Sequence, residues 1–195
     1  MTRPQTLRPA TGEVRIGVAA IGVGPFGTQV AGVVDAVGPE SAGFARGDRV
    51  TFHASAPPSA TRLLVPERDL VGVPADVSLE DAAGVLPCAG VARTVVRQVR
   101  PIRSGDRVRI AVDTAAVGPY IAAWARHLGA EVVTEGPVDA AITATDIVAA
   151  RSPRPVHGLA QQAAADVYAA IRAGAFDALG PVGRVRYPAE VTLAA

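Results

Sequence analysis

Three side chains in this sequence could carry acid–base chemistry. Asp113 follows an apolar run of β-strand length, Val108–Val112, and Tyr120 lies at the start of the helix predicted beyond it. His53 ends another predicted strand, and imidazole is suited to proton transfer near neutral pH. A carboxylate at a strand end could act as a general base in a dry crevice, or could cap backbone N–H groups of its own turn. We therefore predict Asp113, Tyr120 and His53 as the catalytic residues, with capping as the alternative role of Asp113.

Several other chemistries are excluded by the residue types. The basic residues are all Arg, so no lysine Schiff base can form. The single cysteine, Cys88, cannot form an internal disulfide, and its apolar surroundings predict a buried structural thiol. His53, His127 and His157 show no metal-ligand spacing. We therefore expect no metal site.

The residues after Ser104 predict a strand–turn–helix–strand unit. Pro119 suits the first position of a helix, and Gly129 ends it. The apolar residues of this helix share one face; they are Ile121, Trp124, Ala125 and Leu128. Glu131–Thr134 then predicts a second strand. This arrangement is typical of the first crossover of a dinucleotide-binding fold.

The preceding residues predict a β-rich lobe. Its strands are expected at Glu13–Ile21, Thr28–Val37, Phe44–Phe52 and Arg62–Val65. A capping box at Ser78–Asp81 then begins a helix that Pro87 interrupts. Toward the C-terminus, a further helix is predicted at Gln161–Ala173.

The stretch SGDRVRIAVDTAAVGPYIAAWARHLGAEVV resembles the medium-chain dehydrogenase/reductase superfamily, in its zinc-free quinone oxidoreductase and enoyl reductase branch. Family members carry a pattern like GDxVLIHAAAGGVGxxAxQLAxxxGAxV. Two departures fall in the turn, where Ala115–Ala116 replaces the Gly-Gly pair and Asp113 replaces a small residue. Glycines in such a turn let the backbone approach a pyrophosphate, so added methyl groups and a carboxylate oppose dinucleotide binding.

The upstream stretch TQVAGVVDAVGPESAGFARGDRV is similar to the GroES-like domain of the same family. The final segment AIRAGAFDALGPVGRVRYPAEVTLAA also resembles the end of that family's chains. The resemblance implies an α/β fold: a GroES-like β domain at residues 1–100, a truncated Rossmann-like βαβ lobe at 101–160, and a helix and tail at 161–195 that return toward the GroES-like domain. Relative to the family pattern, the loop at Gly22–Phe26 is short and several βα units are missing after Thr134.

Three functions are compatible with this pattern. The first is a cofactor-independent enzyme on a reductase-derived scaffold, which catalyses cyclisation, dehydration or isomerisation of an unsaturated carbonyl compound of polyketide type in secondary metabolism. The second is an NADPH-dependent quinone or enoyl oxidoreductase, and the third is a non-catalytic binding protein. We expect the first, with no cofactor, because of the altered turn.

Charge and hydropathy limit the possible partners. The formal net charge is +1, which gives no electrostatic basis for binding nucleic acid or a membrane surface. No apolar run is long enough to span a bilayer, and we expect a cytoplasmic protein. A sheet shortened to about three strands leaves an edge uncovered. We therefore expect a homodimer, formed through the Ile121/Trp124/Leu128 face or through the edge strand.

Overall fold

The computed structural model describes residues 7–112, 116–151, 157–179 and 184–186 of the 195-residue chain. The described residues divide into two compact units. The first contains the residues through Gly84 together with the strand at 184–186, and the second begins at Val85. One unit is built on an antiparallel sheet and the other on a parallel sheet, so the chain is of the predicted α/β class.

The strands of the described residues are β1 Glu13–Gly24, β2 Gly27–Val37, β3 Arg49–Ala54, β4 Arg62–Pro66, β5 Val71–Gly72, β6 Arg107–Ala111, β7 Glu131–Val132, β8 Ala140–Thr143 and β9 Arg184–Arg186. The α-helices are α1 Leu79–Gly84, α2 Leu86–Thr94, α3 Gly118–His127, α4 Ala144–Ala150 and α5 His157–Arg172. A 3₁₀ turn at Glu67–Asp69 and a π-helical turn at Val95–Val99 complete the regular structure.

The first unit is an antiparallel sheet in the order β4-β1-β2-β3-β5, with β9 also paired to β1. Alternate residues of β1 point into the core, where Val14, Ile16 and Val18 have no solvent exposure. This alternation is the pattern of a half-buried strand, and it explains why the sequence predicted β1.

A two-residue turn joins β1 to β2. Gly24 and Gly27 are the last paired residues of this hairpin, and Gly27 has φ +106°, a conformation that L side chains rarely adopt. The predicted short connection at Gly22–Phe26 is therefore a tight hairpin that leaves the sheet intact.

Helix α1 packs very closely on β1. Ser78 Oγ accepts the backbone N–H of Asp81 at 2.9 Å, which confirms the predicted cap. A Cβ on Gly22 would lie 2.0 Å from the carbonyl oxygen of Ala83, so only glycine permits this approach.

The second unit contains the short parallel sheet β7-β6-β8. Helix α3 connects β6 to β7, as the sequence predicted. Residues 133–139 connect β7 to β8 without a helix. Helix α4, which the sequence analysis did not predict, follows β8 directly.

The apolar face of α3 is buried inside the second unit. Trp124 is 1% exposed, its Nε1 donates to the carbonyl oxygen of Ala89 at 2.8 Å, and its ring lies 5.8 Å from that of Phe176. Ile121 is also fully buried. Ile121 and Trp124 are therefore not available for a dimer contact, because helix α2 and Phe176 of the same chain cover them. A dimer through the edge strand stays a prediction.

Helix α2 belongs to the second unit rather than to the β-rich lobe. Arg93 of α2 donates from Nε and Nη2 to Asp166 Oδ2 of α5, at 2.7 and 2.5 Å. Pro87 lies in the first turn of α2, where its missing N–H costs no helical hydrogen bond. The division of the described residues therefore falls after Gly84, whereas the sequence analysis placed a boundary at residue 100.

Candidate active site

The carboxyl ends of β6 and β8 lie side by side within the second unit. Ala111 pairs with Thr143 at these ends, where α3 and α4 begin. The chain leaves β6 toward β7 on one side, whereas β8 lies on the other side. In open α/β sheets, ligands bind outside the carboxyl ends of strands at such a switch in strand order.

Helix α3 begins after the end of β6 without a side-chain cap. Its N-cap is Val117, whose carbonyl oxygen accepts the N–H of Ile121 at 2.9 Å. The second residue of the helix is Pro119, which has no N–H. A pyrophosphate at a helix start is held by the first backbone N–H groups, so this helix offers one donor fewer.

Gly118 has a packing role at the same position. A Cβ on Gly118 would lie 3.2 Å from Val112 Cγ2, so the glycine allows α3 to approach the end of β6. Helix–strand packing is one of the roles of glycine in a dinucleotide-binding turn. This role is present here, whereas Pro119 removes one of the backbone donors that a pyrophosphate would use.

Helix α4 begins with a complete capping box. Thr143 Oγ1 accepts the N–H of Asp146, and Asp146 Oδ2 accepts the backbone N–H of Thr143 at 2.8 Å. Arg100, which follows the π-helical turn, donates from Nη2 to Asp146 Oδ1 at 3.0 Å. The Asp146 side chain is 6% exposed. Its polar groups are therefore paired within the protein.

The pKa of Asp146 reflects two opposing effects. Burial raises it by disfavouring the charged form, and the hydrogen bonds from the Thr143 backbone, Arg100 and the Thr143 hydroxyl, with the charge of Arg100, lower it. The net pKa is below the ordinary value of 3.8. Asp146 is thus ionised at neutral pH, and Arg100 compensates its charge.

The Asp146–Arg100 pair was not predicted from the sequence. The signal was present as Thr143-x-x-Asp146 before an apolar residue, which is a capping-box pattern. Arg100 could not be paired with it from sequence, because the two residues come together only when the π-helical turn packs near α4.

The predicted catalytic residues occupy different environments. Asp113 lies outside the described residues. Tyr120 is fully buried in the second unit, with its ring centroid 5.5 Å from that of Phe176. It is therefore an interior aromatic residue in the first turn of α3.

His53 lies on β3 in the first unit and is exposed. Its imidazole covers the hairpin glycine: a Cβ on Gly27 would lie 2.4 Å from His53 Cε1 and 3.0 Å from Nε2. His53 and Tyr120 belong to different units. Their joint participation in one site stays a prediction.

Cys88 is a buried residue of α2, as predicted. Burial raises the pKa of its thiol to about 11, so the nucleophilic thiolate is scarce at neutral pH. Among residues 7–112, 116–151, 157–179 and 184–186, no three His, Cys, Asp or Glu side chains form a group that could hold a metal ion. Within the same ranges, no helix has both the length and the apolar character needed to cross a bilayer.

The chain is similar to reductases and to parts of polyketide synthases. It is 37% identical to erythronolide synthase of Saccharopolyspora erythraea over 65% of this chain and 4% of that protein. It is 34% identical to 2-haloacrylate reductase of a Burkholderia species over 55% of this chain and 33% of that enzyme. A mycobacterial protein solved with NADPH superposes with a TM-score of 0.55 at 29% identity, over 77% of this chain and 51% of that one. No protein-family model matches the chain.

The chain spans a third of the length of that curated reductase and about half of the solved structure. Further relatives and neighbours include a quinone oxidoreductase and an enoyl reductase. These similarities confirm the family resemblance predicted from the sequence and the GroES-like and Rossmann-like architecture. The scaffold is thus similar to that of these reductases.

Proposed function

Because this chain is similar in sequence and fold to the quinone oxidoreductases and enoyl reductases of the medium-chain dehydrogenase/reductase superfamily, we propose that it acts on an unsaturated carbonyl compound by proton transfer rather than hydride transfer. The observation that carries this proposal is Pro119, which removes a backbone donor from the start of α3 where a pyrophosphate would rest. The similarity to polyketide synthases supports a ligand of polyketide type.

The proposed chemistry needs no external reductant. A general base removes a proton from the carbon beyond the carbonyl-conjugated double bond, and the electron pair delocalises onto the carbonyl oxygen. Return of the proton at the carbon next to the carbonyl moves the double bond, so atoms and electrons balance. Asp113 is the proposed base. Tyr120 is buried and His53 belongs to the other unit, so their predicted roles, a donor to the carbonyl oxygen and a second acid–base group, are tested separately by substitution.

The test follows proton exchange rather than turnover of a cofactor. The full chain is incubated in heavy water with a small cyclic enone, and deuterium incorporation is measured by NMR. Replacing a true general base, as in Asp113→Ala, should slow exchange roughly 10²–10⁴-fold while the melting temperature is retained. His127→Ala is the matched control, because this histidine is exposed on α3.

Two outcomes would count against the assignment. If Asp113→Ala, Tyr120→Phe and His53→Ala all retain full exchange activity, the acid–base groups lie elsewhere. If Asp113→Ala unfolds the protein, its carboxylate is a turn cap rather than a base.

A second candidate is a nicotinamide-dependent reductase, and one relative solved with NADPH supports it. Glu135 is exposed shortly after β7, and an acidic side chain there favours the ribose hydroxyl of NADH over the phosphate of NADPH. Calorimetric titration with both cofactors distinguishes the two proposals. Binding of either one in the low micromolar range would support the reductase and contradict the proton-transfer enzyme.

A further inference from the structure

The connection between β7 and β8 departs from a doubly wound sheet. Parallel strands normally need a crossover of roughly a dozen residues or more, usually with a helix. Here residues 133–139 make the connection without one. Val133 N donates to Val108 O at 2.9 Å, and Asp139 N donates to Arg107 O at 2.9 Å. Because β7 and β8 flank β6, this segment must pass across one face of β6.

Two arginines hold the crossover on that face, Arg109 through its side chain and Arg107 through its backbone N–H. Arg109 Nη2 donates to the carbonyl oxygen of Gly136 at 2.5 Å, and Arg107 N donates to Asp139 Oδ2 at 2.8 Å. Arg109 Nε is buried and has no hydrogen-bond partner among the residues that the structure describes. The family pattern has leucine at the position of Arg109. The arginine therefore suits a face covered by a polar loop instead of an apolar helix.

The opposite face of the sheet keeps its apolar core. Val108 of β6 and Ile142 of β8 have no solvent exposure, and successive residues of a strand point to opposite faces. The sheet is thus packed on one side and crossed by residues 133–139 on the other.

The crossover also determines which strands the parallel sheet of the second unit contains. In a doubly wound sheet with strand order 3-2-1-4, the third strand lies beside the second and completes the half that holds one nucleoside. In the described part of this chain, β7 is an edge strand, and the chain passes from it directly to β8. The sheet therefore keeps β8 on one side of β6. On the other side, where the strands of the nucleoside half would lie, the described chain has only the two residues of β7.

We propose that the crossover at residues 133–139, held on β6 by Arg109, replaces the nucleoside half of a dinucleotide site, so that the second unit takes a small carbonyl compound and no dinucleotide. The substrate class rests on the proposed function above. The loss of the dinucleotide site rests on the crossover, independently of the turn residues Ala115–Ala116.

The first experiment separates the crossover from the turn as the barrier to binding. The full chain, the variant A115G/A116G and the variant A115G/A116G/P119A are titrated calorimetrically with ADP-ribose, NADH and NADPH at millimolar concentration. Circular dichroism verifies that each variant is folded. We expect no binding to any of the three proteins. Binding by a variant whose turn is restored would overturn the inference, because the turn would then be the barrier.

The second experiment tests whether Arg109 holds the crossover. Hydrogen exchange is measured for residues 133–139 in Arg109→Leu and Arg109→Gln, with Arg103→Leu as the exposed control. We expect exchange about tenfold faster in this segment for both Arg109 variants, with β1 and β2 unchanged. Unchanged exchange in both variants would contradict the role of Arg109.

The outcomes distinguish this inference from the proposed function. Dinucleotide binding by the unaltered chain contradicts both. Binding only after the turn is restored contradicts the inference alone. Failure of a cyclic enone to exchange, with no dinucleotide bound, contradicts the proposed function alone.

Discussion

The chain is shorter than its relatives, and the consequences differ between the two units. The first unit keeps a continuous antiparallel sheet, because a two-residue hairpin joins β1 and β2 and every strand still has a neighbour. The second unit has three short parallel strands and depends on side-chain links between its elements, such as Trp124 to Ala89 and Arg100 to Asp146. An antiparallel hairpin can close with two residues, whereas parallel strands need a long crossover. Shortening the connections between strands therefore disrupts a parallel sheet more than an antiparallel sheet.

If the first unit depends on close backbone contacts, a single methyl group should disrupt it. Gly22→Ala places a Cβ 2.0 Å from Ala83 O, and α1 must move away from β1. We expect a loss of about 3 kcal/mol in the free energy of unfolding, measured by urea denaturation.

Gly17→Ala on the same strand is the matched control for Gly22. Its Cβ would meet Val33 O at 3.7 Å, an ordinary contact, so a much smaller loss is expected. Equal losses for the two variants would show that the close approach at Gly22 is not limiting.

If the second unit depends on side-chain links, removing the buried carboxylate of Asp146 should lower the free energy of unfolding nearly as much as Gly22→Ala does. Asp146→Ala removes the capping box and leaves Arg100 without its partner. We expect a loss of about 2 kcal/mol, measured by denaturant unfolding. Glu135→Ala, which changes an exposed carboxylate near β7, is the control and should have little effect.

A link between partly exposed groups should contribute less. Arg93→Gln breaks the pair with Asp166, which is 41% exposed, and should cost about 1 kcal/mol because water screens the charge. Arg97→Gln, an exposed arginine nearby, should leave the melting temperature unchanged. A larger loss for Arg97→Gln than for Arg93→Gln would indicate that the α2–α5 pair does not stabilise the unit.

The smallest effect expected is a pH dependence of the stability of the second unit, through Asp146. The folded pKa of Asp146 lies below 3.8, so its contribution is complete above that pH and is lost as the pH falls through the folded pKa. The stability difference between the unaltered chain and Asp146→Asn should be constant from about pH 7 to about pH 5 and shrink in more acidic solution. A difference that grows on acidification would mean that the pKa is raised.

The sequence predicted those elements whose periodicity is strong. Strand β1 alternates over its whole length, and the apolar residues of α3 recur at helical spacing. Helix α4 was missed because it is short and its signal is the cap at Thr143 rather than its periodicity. The π-helical turn at Val95–Val99 was missed because its pattern continues that of α2.

The candidate site was less predictable than the fold. The β6–α3 pattern predicts a site at the strand end, which stays a prediction, whereas the structure shows Tyr120 as an interior residue against Phe176. A tyrosine at a helix start has the same sequence signal whether its ring faces a ligand or the core. The burial is decided by Phe176, which comes from a distant part of the chain.

The amino-acid sequence by itself determined the α/β class, the family resemblance and the absence of lysine and disulfide chemistry, because these depend on residue types and local spacing. The tertiary structure alone decided three other features: the cover over Trp124, the pairing of Asp146 with Arg100, and the path of residues 133–139 across β6. The first two features join residues that are distant in sequence. The third depends on the position that β8 takes in the sheet. Local pattern carries no information about such contacts, since they form only when the elements pack.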